Sequence, residues 1–232
     1  MCGIAGLFSR TKTPVENAGK RLGAMMAAQA YRGPDQEGQF FSADGRLALG
    51  NSRLAIVAPT ERVPLPMLTA DLRYVIAFNG EIYNYRDQKK KLASNGTRFR
   101  TGTDTEVLLE GYASSGFDYL SELEGMWAFG VFDNVAGELH LGRDLMGERQ
   151  LFYYCDAEEV IFASEAHTVL TAVRGRLSLD TDSAITALRF HTAAPGKTLV
   201  QGLRRIRAGH VLTISRSGEL TERRVQRLEP DK

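Results

Sequence analysis

Met1-Cys2-Gly3-Ile4-Ala5-Gly6-Leu7-Phe8 opens the chain, and the rest of the sequence is read against it. Residues 3–8 are apolar or glycine, which predicts a buried strand. Cys2 has two readings. In the plain one it is a small residue ahead of an ordinary edge strand. In the other, removal of Met1 makes Cys2 the N-terminus, so that one residue carries a thiol and a free amine. An α-amino group titrates near ~8 and a free thiol near ~8.5. The amine can then take the thiol proton at neutral pH, a known way to activate a nucleophile without histidine. These residues alone favour the plain reading; the remainder of the chain reverses that balance.

At 232 residues the chain has the length of one large α/β domain or two small ones. Hydrophobic residues at 43% and charged residues at 25% describe a soluble globular protein. A formal net charge of +1 gives no electrostatic case for nucleic acid or an anionic membrane as partner. Cys2 and Cys155 are no disulfide framework and suggest a reducing compartment. No stretch approaches the ~18 apolar residues of a membrane span, and no basic region precedes the first apolar run. The expected location is cytoplasmic.

Periodicity and turn residues predict helices over residues 15–30, 85–95, 105–114, 166–173 and 181–190. They predict strands near 38–42, 47–51, 54–57, 72–78, 126–133, 138–142, 151–155, 160–164, 198–203, 210–215 and 219–225. Asn79-Gly80 reads as a break after the 72–78 strand, because Asn-Gly between strand-like runs is a strong hairpin signal. Thr103-Asp104-Thr105-Glu106 fits a capping box. Two groups of strands with helices between and after them imply two sheets covered by helices. One domain is expected over 1–232, its last roughly 25 residues a linker-like or partner-facing tail.

The usual engines of hydrolysis and transfer are missing. His140, His167, His191 and His210 have no zinc-type spacing with cysteine or carboxylate, so no metal is expected. There is no phosphate loop of the Walker or dinucleotide type and no G-x-S-x-G elbow. Their absence puts weight on Cys2.

An ordered set of motifs then identifies a resemblance. Met1-Cys2-Gly3-Ile4, Arg32-Gly33-Pro34-Asp35, Arg53-Leu54-Ala55-Ile56-Val57, Asn79-Gly80-Glu81-Ile82-Tyr83-Asn84 and Thr101-Gly102-Thr103-Asp104-Thr105-Glu106 come first. Gly125-Met126-Trp127-Ala128-Phe129, Gly142-Arg143-Asp144 with Gly147, and Phe162-Ala163-Ser164-Glu165 follow. Each is weak alone; in this order the set resembles the glutaminase domain of class II glutamine amidotransferases, in the asparagine synthetase branch. The resemblance implies the α+β fold of N-terminal-nucleophile hydrolases, a four-layer αββα sandwich with two antiparallel sheets between helical layers.

It also implies hydrolysis of the glutamine side-chain amide to glutamate and ammonia through a Cys2 thioester. Cys2 is then nucleophile and, through its amine, base. The Asn79 amide and Gly80 N–H form an oxyanion hole, which a tight turn would present outward. Arg53 is the candidate for the substrate α-carboxylate, since a guanidinium offers a two-pronged fit that lysine cannot copy. Backbone groups of Leu54–Val57 line the same pocket, and Asp104 and Glu81 are candidates for the α-ammonium. Plainer readings stand beside these: a surface arginine, an acidic residue favoured by a helix dipole, a surface carboxylate. Arg32-Gly33-Pro34-Asp35 and Arg143-Asp144 read as structural ion pairs and loop anchors, and Trp127 as core. The chain departs from the family pattern at Tyr31 (commonly histidine), Leu65 before Pro66 (commonly glutamine) and Gln150 (commonly proline), positions that bear on loop shape and the partner-facing surface.

In the resembled branch a second domain activates an acid with ATP on a Ser-Gly-Gly-x-Asp-Ser loop, which this sequence lacks. ATP and Mg are therefore expected on a partner synthetase and no cofactor on this chain. The expected function is a glutaminase supplying ammonia to a separate synthetase or amide-forming partner, as a free-standing subunit in preference to a fragment; a homo-oligomer is compatible. The alternatives are a catalytically silent glutamine-binding or regulatory subunit, and hydrolysis of another small amide.

Overall fold

Strand β1 (Gly3–Ser9) is buried along its whole length. The structure, a computed structural model, describes residues 1–227. Helix α1 (Ala18–Ala28) follows, then β2 (Gln36–Phe41), β3 (Leu47–Arg53), β4 (Met67–Leu68) and β5 (Tyr74–Ile82). Helices α2 (Tyr85–Ser94) and α3 (Asp104–Ser115) lead into the hairpin of β6 (Gly125–Asp133) and β7 (Glu138–Arg143). A second hairpin, β8 (Phe152–Cys155) and β9 (Glu159–Ala163), precedes α4 (Ala166–Ala172) and α5 (Thr181–Phe190). Strands β10 (Leu203–Arg205), β11 (His210–Ile214) and β12 (Leu220–Arg224) complete the described chain.

β1 pairs antiparallel with β3 on one side and β9 on the other, inside a six-stranded sheet of order β10-β8-β9-β1-β3-β2. The other strands form a second sheet of order β12-β11-β7-β6-β5-β4. Successive side chains on a strand point to opposite faces, so a strand apolar on both faces must lie between two apolar layers. Ile4 and Phe8 of β1 meet Leu49, Ala77, Ala128 and Phe132 between the sheets. Ala5 and Leu7 face the other way, onto Leu22, Met25 and Met26 of α1 and Val169 of α4. Ile76, Trp127, Phe129 and Val131 of the second sheet pack with Val107 and Leu108 of α3. Three cores thus separate four layers, the αββα sandwich that the resemblance implied.

Several local expectations are corrected. Asn79-Gly80 is no turn: β5 runs through it to Ile82, with Asn79 opposite Ala128 and Gly80 opposite Trp127. The glycine is required there for a different reason. A Cβ on Gly80 would lie 2.5 Å from the Met126 carbonyl oxygen and 2.7 Å from Trp127 Cα, so the two strands could not approach. The strand expected over 54–57 is a loop, because Arg53 gathers the carbonyls of Val57 and Ala58 and folds it back. The strand expected over 198–203 gives way to β10, after Gly202 at φ +80°. The 15–30 helix shortens to α1, since Asn17 stands at φ 53° outside the helical region. The linker-like tail is a hairpin as far as Arg224, because Leu212 and Ile214 of β11 are buried between the sheets; residues 228–232 lie outside those described.

Gly6 marks the tightest part of the inter-sheet core, where a Cβ would overlap the Phe162 ring. Gly6→Ala should lower unfolding free energy by about 1–3 kcal/mol, the usual cost of overpacking. Urea denaturation checks it, and an unchanged midpoint would mean that the two layers have slack here.

Candidate active site

Cys2 precedes the first residue of β1, at the end where Gly3 pairs with Ser52. Its thiol donates to the Leu54 carbonyl at 3.7 Å. Burial pushes the thiol above its ordinary value, against the pull of that hydrogen bond and of nearby positive charge. A buried thiol held protonated needs a base before it can attack.

The cleft at this end is lined by every residue singled out for the site: Cys2, Arg53, Leu54, Val57, Asn79, Gly80, Glu81 and Asp104. They come from the start of β1, the end of β3 and its following loop, the second half of β5, and the first residue of α3. Sequence reasoning missed Asn51, Thr103 and Arg149, which line the same cleft, as does Met1. The Arg149 Nη1 donates to the Met1 sulfur at 2.6 Å. Of the missed residues Asn51 had a readable signal, a carboxamide where strand alternation calls for an apolar inward residue.

One edge of β5 organises this cleft. β4 is two residues long and its pairing stops with Met67 opposite Ile76. Backbone groups on one strand edge recur every second residue, so Phe78, Gly80 and Ile82 are left without a strand partner on that side. Asn51 serves Phe78: its Oδ1 accepts the Phe78 N–H at 3.2 Å and its Nδ2 donates to the Phe78 carbonyl at 3.1 Å. The same Nδ2 donates to the Gly3 carbonyl at 2.9 Å, joining the two sheets. Asp104 serves Ile82, accepting its N–H at 3.0 Å. Gly80 lies between them on the same edge, and no side chain among the described residues takes its N–H. Beside it the Asn79 Nδ2 is buried with no hydrogen-bond partner. Buried donors are nearly always satisfied, so the unpartnered Asn79 amide beside the strand-edge Gly80 N–H marks a place for an acceptor.

The charged groups are held as firmly. Asp104 begins α3, whose cap is Thr103, with the Thr103 hydroxyl accepting the Glu106 N–H at 3.3 Å. The capping box is half formed, because the Glu106 carboxylate turns instead to the N–H groups of Arg100 and Thr101. Burial pushes Asp104 up to about 6, opposed by the N–H groups of Ile82 and Thr105 and assisted by Glu81. The Arg53 guanidinium is buried and spends its Nη hydrogens on Gln36 Oε1 and on the carbonyls of Val57, Ala58 and Glu61, at 2.7–3.0 Å. A carboxylate reaching Arg53 must therefore take over contacts that now hold the 57–61 loop.

The sequence profile of the glutamine amidotransferase domain matches residues 1–225. The chain belongs to the glutamine amidotransferase domain family. It is 31% identical over 225 residues to glutamine-hydrolysing asparagine synthetase 1 of Bacillus subtilis, covering 95% of this chain and 34% of that one. A Methanocaldococcus jannaschii sequence assigned as glutamine-hydrolysing asparagine synthetase 2 is 37% identical over 188 residues, covering 73% of this chain and 35% of that one. The chain thus spans about a third of the length of these relatives. Among solved structures, the B. subtilis glutamine phosphoribosylpyrophosphate amidotransferase superposes with a TM-score of 0.71 at 19% identity, over 97% of this chain and 49% of that one. That likeness is one of fold.

In this glutamine amidotransferase domain the remaining motifs brace the cleft. Arg32 pairs with Glu165 and donates from Nε to the Cys2 carbonyl at 2.9 Å, while Ser164 Oγ accepts the Ile4 N–H at 2.9 Å. Asp35 accepts the Ala55 N–H at 2.8 Å. Arg143 and Asp144 do not form the expected ion pair. Arg143 donates to the carbonyls of Arg149, Ile206 and Gly147 and to Gln150 Oε1. Burial, joined by the Arg205 charge and opposed by that of Asp144, lowers it to about 10. Asp144 instead accepts the N–H groups of Trp127, Met146, Glu148 and Arg149, shaping the loop that carries Arg149. Trp127 is fully buried core.

Asp104 gives a pH test. Unfolded, an aspartate loses its proton near ~4, whereas the folded group does so at about 6. Between these values the unfolded chain binds fewer protons, so stability from this group falls as pH rises through the window and is level above it. Asp104→Asn should remove that fall. The variant-minus-parent difference in unfolding free energy should move in the variant's favour from pH 4 to pH 6; a pH-independent difference would mean an ordinary carboxyl.

Proposed function

We propose that this domain hydrolyses the side-chain amide of L-glutamine to glutamate and ammonia through a thioester on Cys2, and that the ammonia feeds an amide-forming synthetase reaction. The observation that carries this is the gathering of a thiol, the unpartnered Asn79 amide beside the strand-edge Gly80, a guanidinium and two carboxylates on one cleft. With Met1 removed, the Cys2 α-amine takes the thiol proton, directly or through a water, which the buried thiol needs. The thiolate attacks the amide carbon, and the oxyanion that forms accepts from Asn79 Nδ2 and the Gly80 N–H. Collapse breaks the carbon–nitrogen bond, and the leaving nitrogen takes the proton from the Cys2 ammonium to depart as ammonia. A water, deprotonated by the same amine, then cleaves the thioester, giving glutamate and the free thiol.

Arg53 reads the substrate α-carboxylate, releasing part of the 57–61 loop to do so. Asp104 and Glu81 read the α-ammonium, whose charge would favour the ionised form of Asp104. Together they select a free amino acid over a simple amide. The acceptor reaction is inferred from relatives about three times as long, whose names couple glutamine hydrolysis to asparagine synthesis. No helix among the described residues is long and apolar enough to cross a membrane, and the two free thiols suit a reducing, cytoplasmic setting.

Paired glutamate and ammonia assays test the scheme. Cys2→Ala should release neither product. Asn79→Ala should lower kcat by ~10²–10³ with KM little changed, as for loss of one oxyanion donor. Arg53→Lys should act mainly by raising KM. Full activity in Cys2→Ala would end the proposal, and an Arg53→Lys enzyme with unchanged KM would remove the carboxylate-reading role.

A further inference from the structure

We propose that Asn51 is a positioning residue that fixes the nucleophile against the oxyanion donors; this rests on the glutaminase reading above. Asn51 lies on β3, opposite Ile4 in the ladder, and is 2% exposed. Its strand face is otherwise filled by Leu47 and Leu49, so a carboxamide there must have its polar atoms satisfied to be tolerated. It satisfies them on two elements that carry opposite halves of the site. The Gly3 carbonyl follows Cys2 directly, and the Phe78 N–H and carbonyl precede Asn79 directly.

The orientation of the amide is fixed by its partners. Its NH₂ group faces the carbonyl oxygens of Gly3, Phe78 and, at 3.5 Å, Ser52, and its oxygen faces one N–H, so the flipped amide would set like against like. No other side chain bridges β1 and β5 at this end among the described hydrogen bonds. The two sheets otherwise meet here through apolar packing, which is non-directional. The carboxamide supplies the directional link: it ties the strand that ends in the thiol to the edge on which Gly80 N–H stands open. A misplacement of ~1 Å between reacting groups costs on the order of 10²-fold in rate, which sets the size of effect expected when that link is lost. Asn51 touches no reacting atom, and its influence passes through Gly3 and Phe78.

Asn51→Asp keeps the shape and the acceptor for the Phe78 N–H but loses the NH₂ donors; Asn51→Ala loses every one of these bonds. Each variant should keep KM for glutamine within about threefold, since the groups proposed to read the zwitterion are untouched, while kcat falls ~10²-fold. Amide exchange supplies a readout independent of turnover. The Phe78 N–H should exchange at least ~10-fold faster in Asn51→Ala and stay protected in Asn51→Asp, which retains its acceptor. A folded Asn51→Asp with parental kcat, or a loss confined to KM, would overturn the proposal. If the parent itself turns over no glutamine, the preceding reading fails. The exchange pattern then decides the link by itself: acceleration at Phe78 in Asn51→Ala alone upholds it, and unchanged exchange in both variants overturns it.

Discussion

The cleft depends on the unfinished edge of β5. Were β4 long enough to pair beyond Ile76, the N–H groups of Phe78, Gly80 and Ile82 would be spent on ladder bonds. Because it is two residues long, those groups need other partners. Asn51 takes the first and Asp104 the third, both buried and both fixed by further bonds. The middle one remains open beside the unpartnered Asn79 amide. A sheet edge is normally a liability to be covered; here the cover comes from single side chains and leaves one gap, in the cleft that Cys2 also lines.

The same arrangement explains how a flexible chain end can be held as a reacting group. β1 is central in its sheet and buried along its length, so its residues are held by β3 on one side and β9 on the other. Arg32 holds the Cys2 carbonyl and is itself held by Glu165. The Cys2 thiol is held more lightly, by its 3.7 Å bond to the Leu54 carbonyl. The groups proposed to read the substrate sit on less regular ground: Arg53 ends a strand and grips a loop, Asp104 begins a helix. This division suits the proposed chemistry, in which the nucleophile must be fixed and the groups that admit substrate must rearrange.

Much of this was legible in the sequence. The apolar run of residues 3–8 predicts a buried strand, and the order of motifs carries the family and its four layers. Cys2, Arg53, Asn79 and Asp104 rest on the resemblance, because each residue taken alone has a plainer structural reading. What the sequence hid were relations between distant backbones. Asn79-Gly80 looks like a turn because the same dipeptide suits a turn, whereas Gly80 is there for the close approach of Trp127. Asn51 carries no motif, since its task is to bond carbonyl and N–H groups that any sequence possesses. Arg143-Asp144 looks like an ion pair, yet each residue serves backbone groups separately. Strands at 210–215 and 219–225 were legible, but nothing in this polar stretch shows that Leu212 and Ile214 of β11 lie buried between the sheets.

The central claim is that the amine of Cys2, free once Met1 is gone, is the base for its own thiol. The most direct measurement compares glutamine turnover by two preparations of the unmutated sequence, one with Met1 removed and one with Met1 retained, each verified by N-terminal mass. The account requires turnover by the processed chain and none above background by the unprocessed one. Equal turnover by the chain that keeps Met1 would contradict it, because the amine would then be locked in a peptide bond and some other group would have to serve as the base.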